Sequence, residues 1–327
     1  MVAQRDYRFD ILRVLAISMI VLMHSPRPAS APGFVLSGIS YLTAPGLVLF
    51  FMISGALLLG NRLTTKVFLK RRFSRILFPT LVWTFFYLFV GFFANKPSIE
   101  SAIMSILSIP FSAQGHGVLW FMYTLAGLYL LTPILSKWLK NSSKREVEFY
   151  LLLWGVTLVY PYLRMWLQIN ESHTGILYYF AGYVGYFVLG HYLRYYYVYR
   201  WCHLVVAVSI AVFVPLLLYL SGIEFNFFSA LYFLSLPVMM MAFAVFVIVM
   251  RFPNKQLSII GQISKLSFGI YFIHIFIMRS IIWKVDAVIQ LPGLVQIPVI
   301  ALSSFLISLL LAWLISKLPF SKYVIGC

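Results

Sequence analysis

The chain has 327 residues, of which 62% are hydrophobic and 10% are charged. An average soluble domain is about 45–50% apolar and about 25% charged, so this composition excludes a soluble globular protein. The formal net charge is +17, which would suggest a nucleic-acid partner in a soluble protein but follows loop topology in a membrane protein. We expect no nucleic-acid partner. Two cysteines, Cys202 and Cys327, provide neither a disulfide framework nor a metal site.

Long apolar runs recur along the whole chain. About 20 mainly apolar residues cross a bilayer as a helix, with a range of roughly 17–25, and continuous runs of this kind exclude a β-barrel. In chain order, the ten predicted spans are Phe9–Ser25, Tyr41–Leu59, Ile76–Ala94, Val118–Trp138, Phe149–Leu167, Leu177–Leu193, Cys202–Leu220, Phe227–Met250, Leu266–Trp283 and Leu294–Ser316. The predicted fold is an all-α polytopic membrane bundle of about ten transmembrane helices. We assign residues 1–327 to one domain and expect no fused periplasmic domain.

Lysine and arginine are concentrated in alternate loops. The segment Asn61–Arg75 contains six of these residues, whereas the next loop, Asn95–Gly117, contains only Lys96. Because cytoplasmic loops are enriched in Lys and Arg, the alternation predicts that both termini are cytoplasmic. The loop with Arg279 and Lys284 is an exception, since it is mildly basic and should face outward. Most of the positive charge is therefore interpreted as an orientation signal.

The first predicted span has a charged residue near one end and a histidine at the other. Its uninterrupted apolar core, Val14–Met23, is too short to cross about 30 Å of hydrocarbon, so a spanning helix must include Arg13 and His24. Eleven residues make close to three helical turns, which places both side chains on one face about 16 Å apart. Asp10 can pair locally with Arg13. Ionisable groups at membrane depth indicate a functional site, although Arg13 alone also suits a lipid anchor and His24 an interface residue.

These residues belong to a series of five short motifs along the chain. The motifs are Phe9–Arg13 with Ala16 and His24, Leu49–Gly55, Arg72–Pro79, Leu119–Phe121 with Tyr129 and Pro133, and Ser267 with Tyr271 and His274. In type and order they resemble the motifs of the acyltransferase-3 family of membrane proteins, and the resemblance covers essentially the whole chain. The family O-acylates cell-envelope sugars. In its size and lack of extra domains, the chain resembles the stand-alone O-acetyltransferases that modify surface polysaccharide such as O-antigen.

The resemblance implies a membrane O-acetyltransferase in the bacterial cytoplasmic (inner) membrane. Such an enzyme would transfer an acetyl or other short acyl group from cytoplasmic acyl-CoA, with acetyl-CoA as the expected donor. The acceptor would be a hydroxyl of a cell-envelope polysaccharide or a lipid-linked saccharide. Acyl transfer of this kind requires a base for the acceptor, a grip on the donor's phosphates and stabilisation of the oxyanion.

His24 is the expected catalytic base, because neutral imidazole accepts protons near physiological pH and the resemblance implies the same role. Arg13 is too far along the helix to polarise His24 directly, so we expect it to bind the donor. Arg72 and Arg75 are i,i+3 neighbours whose guanidinium groups suit phosphate oxygens, and the resemblance implies contact with the donor's nucleotide end. Plain orientation charge is the alternative for both of these arginines.

Six further residues are candidates for the wall of a substrate cavity: Asp10, Ser54, Trp120, Tyr123, Tyr271 and His274. Ser54 also suits tight helix packing, and Trp120 and Tyr123 also suit an aromatic belt at the membrane interface. Ser267, Tyr271 and His274 share one helical face and fit either a cavity wall or a polar strut.

The sequence provides neither an acid that could orient His24 nor a set of metal ligands. No acid is placed to orient His24, so a backbone carbonyl or a tyrosine would have to do so. We expect no metal ion, because no two histidines share a ligand spacing. A lone histidine, His116, lies in an outward loop and is usually solvated in such a position.

A transporter or flippase of lipid-linked sugars is the competing hypothesis, because ten spans with buried polar groups also fit that function. Transporters are often built from two halves with corresponding broken helices, and the sequence shows no such pairing. A polysaccharide polymerase is a minor alternative, since those proteins usually carry a large outward loop and no such loop is predicted in this sequence.

Overall fold

Helices form every regular element in the described part of the chain. The computed structural model describes residues 5–27, 32–60, 64–96, 98–109, 119–168, 175–222, 227 and 232–327. In chain order the helices are α1 (Arg8–His24), α2 (Gly33–Thr43), α3 (Pro45–Leu58), α4 (Thr65–Asn95), α5 (Ile99–Ser108), α6 (Trp120–Asn141), α7 (Lys144–Leu167), α8 (Val184–Tyr195), α9 (Trp201–Leu220), α10 (Leu236–Met250), α11 (Ser258–Ser280), α12 (Asp286–Ile289), α13 (Gly293–Ile315) and α14 (Ser321–Val324). The all-α prediction is confirmed for these residues.

Five helical segments of the described chain are long and apolar enough to cross a membrane. They are Gly33–Leu58, Thr65–Ala94, Trp201–Leu220, Ser258–Lys284 and Gly293–Ile315. The protein is therefore a multi-pass membrane protein by length and composition, while the count of ten spans and the cytoplasmic termini remain predictions. Helix α1, with 17 residues, is at the lower limit of spanning length.

Two helices start later than the apolar runs predict. Within the run Leu177–Leu193 a single 3₁₀ turn, Tyr178–Phe180, comes first, and α8 starts only at Val184. Gly182 lies between them with a φ of 100°, a conformation that interrupts a right-handed helix. Within the run Phe227–Met250, helix α10 starts at Leu236 with a proline in its first turn. Hydropathy alone does not predict these helix starts, because they depend on the glycine and the proline and not on how apolar the run is.

Burial divides the spanning helices into inner and outer ones. The most apolar window of the α2–α3 segment is 83% buried and that of α11 is 67% buried, whereas α9 is only 11% buried. Helix α1 packs against both α3 and α11 and buries Leu12, Ala16 and Ile20 along one face. Since lipid solvates exposed apolar side chains, α9 is a peripheral helix, and α1, α3 and α11 form the centre of the bundle.

Helices α3 and α8 cross so closely that each needs a glycine at the contact. A Cβ added to Gly55 would overlap the backbone carbonyl of Phe187, and a Cβ added to Gly190 would overlap that of Met52. Small residues allow helix backbones to approach in this way in membranes. Gly55 is therefore a packing residue, and its neighbour Ser54 is left on the face that points toward α6.

Candidate active site

A cavity of about 670 Å³ lies at the N-terminal end of α1, among α1, α3, α4, α6 and α11. Among its described lining residues, six side chains are basic and one, Asp10, is acidic. The basic residues are Arg5, Arg13, Arg72, Arg75, Lys265 and Lys322. We call this space the cationic cavity. Its volume is typical of small-molecule sites, and its charge suits an anionic ligand.

The fold brings three of the predicted donor-binding residues to this one cavity. Arg13 comes from α1, and Arg72 and Arg75 come from the first half of α4. Arg71, their neighbour in sequence, is exposed and is not among the lining residues. The i,i+3 spacing therefore distinguishes the arginines that face the cavity from one that does not.

Three other basic residues of the cavity were not predicted from the sequence. Arg5, Lys265 and Lys322 lie close to the ends of apolar runs, where Lys and Arg normally report orientation. No local pattern distinguishes them from such residues, because their convergence depends on the packing of α1, α11 and the C-terminal segment.

Asp10 is the buried anion that holds the basic groups near α1. Its Oδ1 accepts hydrogen bonds from Arg13 Nη1 at 3.3 Å and from Ser264 Oγ at 2.7 Å. Its Oδ2 accepts a hydrogen bond from Arg5 Nη2 at 2.7 Å. Asp10 is 3% exposed, and a charge buried to this extent needs such partners. The predicted local pair with Arg13 is confirmed, and the bond to Ser264 also fastens α1 to α11.

Ser54 and Tyr129 connect α3 and α6 at the wall of the cavity. Both line it, and the Tyr129 hydroxyl interacts with Ser54 and lies within electrostatic range of Arg13 and Arg72. Ser54 was predicted as a wall residue, whereas Tyr129 was noticed only as part of a motif. The structure therefore adds Tyr129 to the candidate site.

His24 lies at the opposite end of α1, and its own helix fixes its tautomer. His24 Nδ1 is 2.8 Å from the carbonyl oxygen of Ile20. A carbonyl oxygen only accepts hydrogen bonds, so Nδ1 of the neutral ring carries the hydrogen and Nε2 carries the lone pair. The group that orients His24 is thus a backbone carbonyl, one of the two alternatives left by the sequence. Nε2 is the atom that can accept a proton.

His274 of α11 lies against His24. The ring centroids are 5.3 Å apart and the rings are inclined by 62°. His274 is fully buried, and we refer to these two residues as the histidine pair. The sequence named both histidines but did not place them together, because 250 residues separate them.

One face of α11 joins the two ends of the site. Ser267 lines the cationic cavity, while His274 belongs to the histidine pair. Tyr271 lies between them, with its ring centroid 5.4 Å from Phe121 and 5.9 Å from His274. The predicted common face of Ser267, Tyr271 and His274 is therefore a wall that runs from the cavity to the histidine pair.

The two aromatic candidates from α6 have different surroundings. Trp120 packs against Tyr183 and Phe233, with ring centroids 5.5 Å and 5.8 Å away. The Tyr123 hydroxyl is buried and has no hydrogen-bond partner among the described residues. The loop histidine His116 lies outside the described residues.

A second and larger cavity, of about 1000 Å³, is lined by Lys137, Lys140 and His191. None of the three arginines of the predicted donor site is among its described lining residues. Phe68, which lines it, packs on Tyr129 with the ring centroids 6.4 Å apart. The candidate active site therefore consists of the cationic cavity and the histidine pair. Among the described residues, no group of three His, Cys, Asp or Glu side chains is placed to hold a metal ion.

The fold and the site define a helical membrane protein with a cavity lined by basic residues at one end of α1 and a pair of histidines at the other. Residues 6–317 match the model of the acyltransferase-3 family, described as an acyltransferase domain. The chain belongs to this family, as the sequence motifs predict, and is a membrane acyltransferase. No curated protein and no solved structure matches the chain.

Asp10→Asn is expected to destabilise the protein, because Arg13, Arg5 and Ser264 lose the charged acceptor that they share. We expect a loss of about 1.5–3 kcal/mol, the range for hydrogen bonds to a charged group. The measurement is thermal unfolding of the purified protein in detergent. Glu148→Gln is the matched control. Glu148 forms an exposed ion pair with Lys144, and such pairs contribute little; the amide oxygen of Gln can still accept the hydrogen bond from the Tyr192 hydroxyl. Equal shifts in melting temperature for the two variants would contradict a structural role for the Asp10 network.

Proposed function

We propose that the protein transfers an acetyl or other short acyl group from acyl-CoA on the cytoplasmic side to a hydroxyl of a cell-envelope polysaccharide or lipid-linked saccharide. In this proposal it is a multi-pass O-acetyltransferase of the bacterial inner membrane, with acetyl-CoA as donor. One observation carries the proposal: in a chain of an acyltransferase family, helix α1 has the cationic cavity at one end and the histidine pair at the other.

The lining of the cationic cavity supports a phosphate-bearing donor. Acyl-CoA has its phosphates at one end and its thioester at the other end of a long, thin arm. Arg72 and Arg75 present guanidinium forks that bind phosphate oxygens bidentately, and Arg13 is held toward the same cavity by Asp10. In our proposal these arginines bind the phosphate end, so the acyl end extends toward the histidine pair.

The predicted orientation of the chain supports the same arrangement. The alternation of Lys and Arg among the loops predicts a cytoplasmic N-terminus, which places the cationic cavity toward the compartment that contains acyl-CoA. His24, about 16 Å further along α1, then lies nearer the outer surface, where envelope saccharides are modified.

The chemistry at His24 follows from its tautomer. His24 Nε2 accepts the proton of the acceptor hydroxyl as the oxygen attacks the thioester carbonyl, and a new C–O bond forms. The C–S bond then breaks, and the proton passes from His24 to the thiolate sulfur of the departing coenzyme A. The Nδ1 bond to Ile20 keeps Nε2 unprotonated before the reaction, as a general base requires. No covalent intermediate with the enzyme is needed.

The transporter hypothesis has no comparable support. The family match is to an acyltransferase domain. A cation-lined cavity at one end of α1 and a histidine that can accept a proton at the other end suit acyl transfer from a long, phosphate-bearing donor. Incorporation of label from [¹⁴C]acetyl-CoA into envelope saccharide of membranes, against membranes without the protein, separates the two functions.

The double variant Arg72→Ala, Arg75→Ala is expected to raise the KM for acetyl-CoA by about 10-fold or more, because charge-assisted bonds to phosphate are lost. The rate of [¹⁴C]acetyl transfer is measured as a function of acetyl-CoA concentration. Arg71→Ala is the matched control, since it removes an exposed arginine from the same helix turn. An unchanged KM in the double variant would exclude these arginines from donor binding.

His24→Ala is expected to lower kcat by about 10²–10⁴-fold, the usual contribution of a general base, while the KM for acetyl-CoA stays near the wild-type value. The same transfer assay measures both constants. His203→Ala, at an exposed histidine at the start of α9, is the control. A normal kcat for His24→Ala would remove His24 from the mechanism.

A further inference from the structure

Both members of the histidine pair are held in the same tautomer. His274 Nδ1 lies 2.6 Å from the Tyr271 carbonyl oxygen and 3.2 Å from the Ile270 carbonyl oxygen. Because carbonyl oxygens only accept, His274 Nδ1 carries the hydrogen of the neutral ring and Nε2 carries the lone pair. His24 is fixed in the same way by Ile20.

Each Nδ1 points back along its helix to a carbonyl one turn earlier. The lone pair of each neutral ring is therefore on Nε2, on the other side of the ring from that carbonyl. Helices α1 and α11 pack against each other, and the two ring centroids are 5.3 Å apart across this contact. Two neutral rings in this state present two acceptors and no donor to each other, so they cannot form a hydrogen bond.

His274 Nε2 is a buried acceptor without a partner. Its residue is 0% exposed, and Nε2 has no hydrogen-bond partner among the described residues. Buried polar atoms are nearly always paired, and an exception calls for an explanation, which in many proteins is a catalytic role.

We infer that His274 is a positioning residue that shares the proton which His24 takes from the acceptor hydroxyl. The inference rests on the proposed function, because it assigns a role to His274 in the same reaction. Once His24 Nε2 is protonated it becomes a donor, and the unpartnered Nε2 of His274 is the acceptor beside it. The pair then holds one proton in an N–H···N bond.

The shared proton enters and leaves the pair within one turnover of the proposed reaction. The proton leaves the acceptor hydroxyl for His24 Nε2 as the new C–O bond forms, and the bond to His274 stabilises the imidazolium while the tetrahedral intermediate exists. When the C–S bond breaks, the same proton moves from His24 to the sulfur. His274 ends each cycle in its starting tautomer, with Nδ1–H still bound to the Tyr271 carbonyl.

Nearby charge limits the pair to a single proton. The Arg279 guanidinium, in the last turn of α11, lies within electrostatic range of both rings. Tyr271 packs on His274, and Tyr87 of α4, which also lies within range of Arg279, donates its hydroxyl to the Phe272 carbonyl. Since a cation opposes a second positive charge nearby, the arrangement favours sharing of one proton over protonation of both rings. Arg279 is also one of the two basic residues, with Lys284, that did not fit the orientation pattern of the loops.

Two amide variants separate this role from simple packing. His274→Gln places an amide oxygen near the position of Nε2 and loses the Nδ1 donor, whereas His274→Asn places an amide donor near Nδ1 and loses the Nε2 acceptor. The kcat and the KM for acetyl-CoA are measured with [¹⁴C]acetyl-CoA and envelope saccharide as acceptor, and folding is checked by the melting temperature in detergent.

We expect His274→Asn to lower kcat by about 10- to 100-fold, the equivalent of one hydrogen bond to a charged group, with the KM unchanged. His274→Gln should retain kcat to within a few-fold even where its melting temperature falls. The reverse order of activities, equal losses in both variants, or a normal kcat in His274→Asn would each overturn the inference.

The variant His24→Ala, measured in parallel, distinguishes a failure of the proposed mechanism from a failure of the shared-proton inference. An active His24→Ala removes the base and with it the proposed mechanism. An inactive His24→Ala together with a normal His274→Asn leaves the proposed function intact and removes only the shared proton.

Discussion

The pairing of α1 with α11 is the constraint on which the site depends. At one end the two helices are joined by the bond from Ser264 to the buried carboxylate of Asp10, and at the other end the rings of His24 and His274 meet. With both ends fixed, the helices run parallel, and the face of α11 that carries Ser267 and Tyr271 lies beside α1. The cationic cavity and the histidine pair are therefore two ends of one helix–helix contact.

The same contact shows how a chain with few charged residues builds a polar site. Only 10% of its residues are charged, and ionisable groups at membrane depth are costly. Asp10 resolves this by sharing one buried charge among three donors. At the other end the structure uses backbone carbonyls in place of acids, since Ile20 and Tyr271 set the tautomers of the two histidines. Proton-accepting nitrogens are thus oriented without a further buried charge.

The sequence predicted those features that depend on local spacing. Helical periodicity placed Arg13 and His24 on one face of α1, paired Asp10 with Arg13, and selected Arg72 and Arg75; the ordered motifs predicted the family that the match confirms. It did not predict contacts between distant segments, namely the convergence of Arg5, Lys265 and Lys322 or the pairing of His24 with His274. It also missed the late start of α8, because the backbone of Gly182 interrupts an apolar run that hydropathy treats as continuous.

In our proposal, α1 connects a donor site on the cytoplasmic side to an acceptor site nearer the outer side. Sealed inside-out membrane vesicles test this arrangement, with [¹⁴C]acetyl-CoA supplied outside, at the cytoplasmic face, and envelope saccharide enclosed in the lumen. We predict that labelled saccharide forms in the lumen, and that right-side-out vesicles form none from external acetyl-CoA. Labelled product that forms only when donor and acceptor are on the same side of the membrane would contradict it.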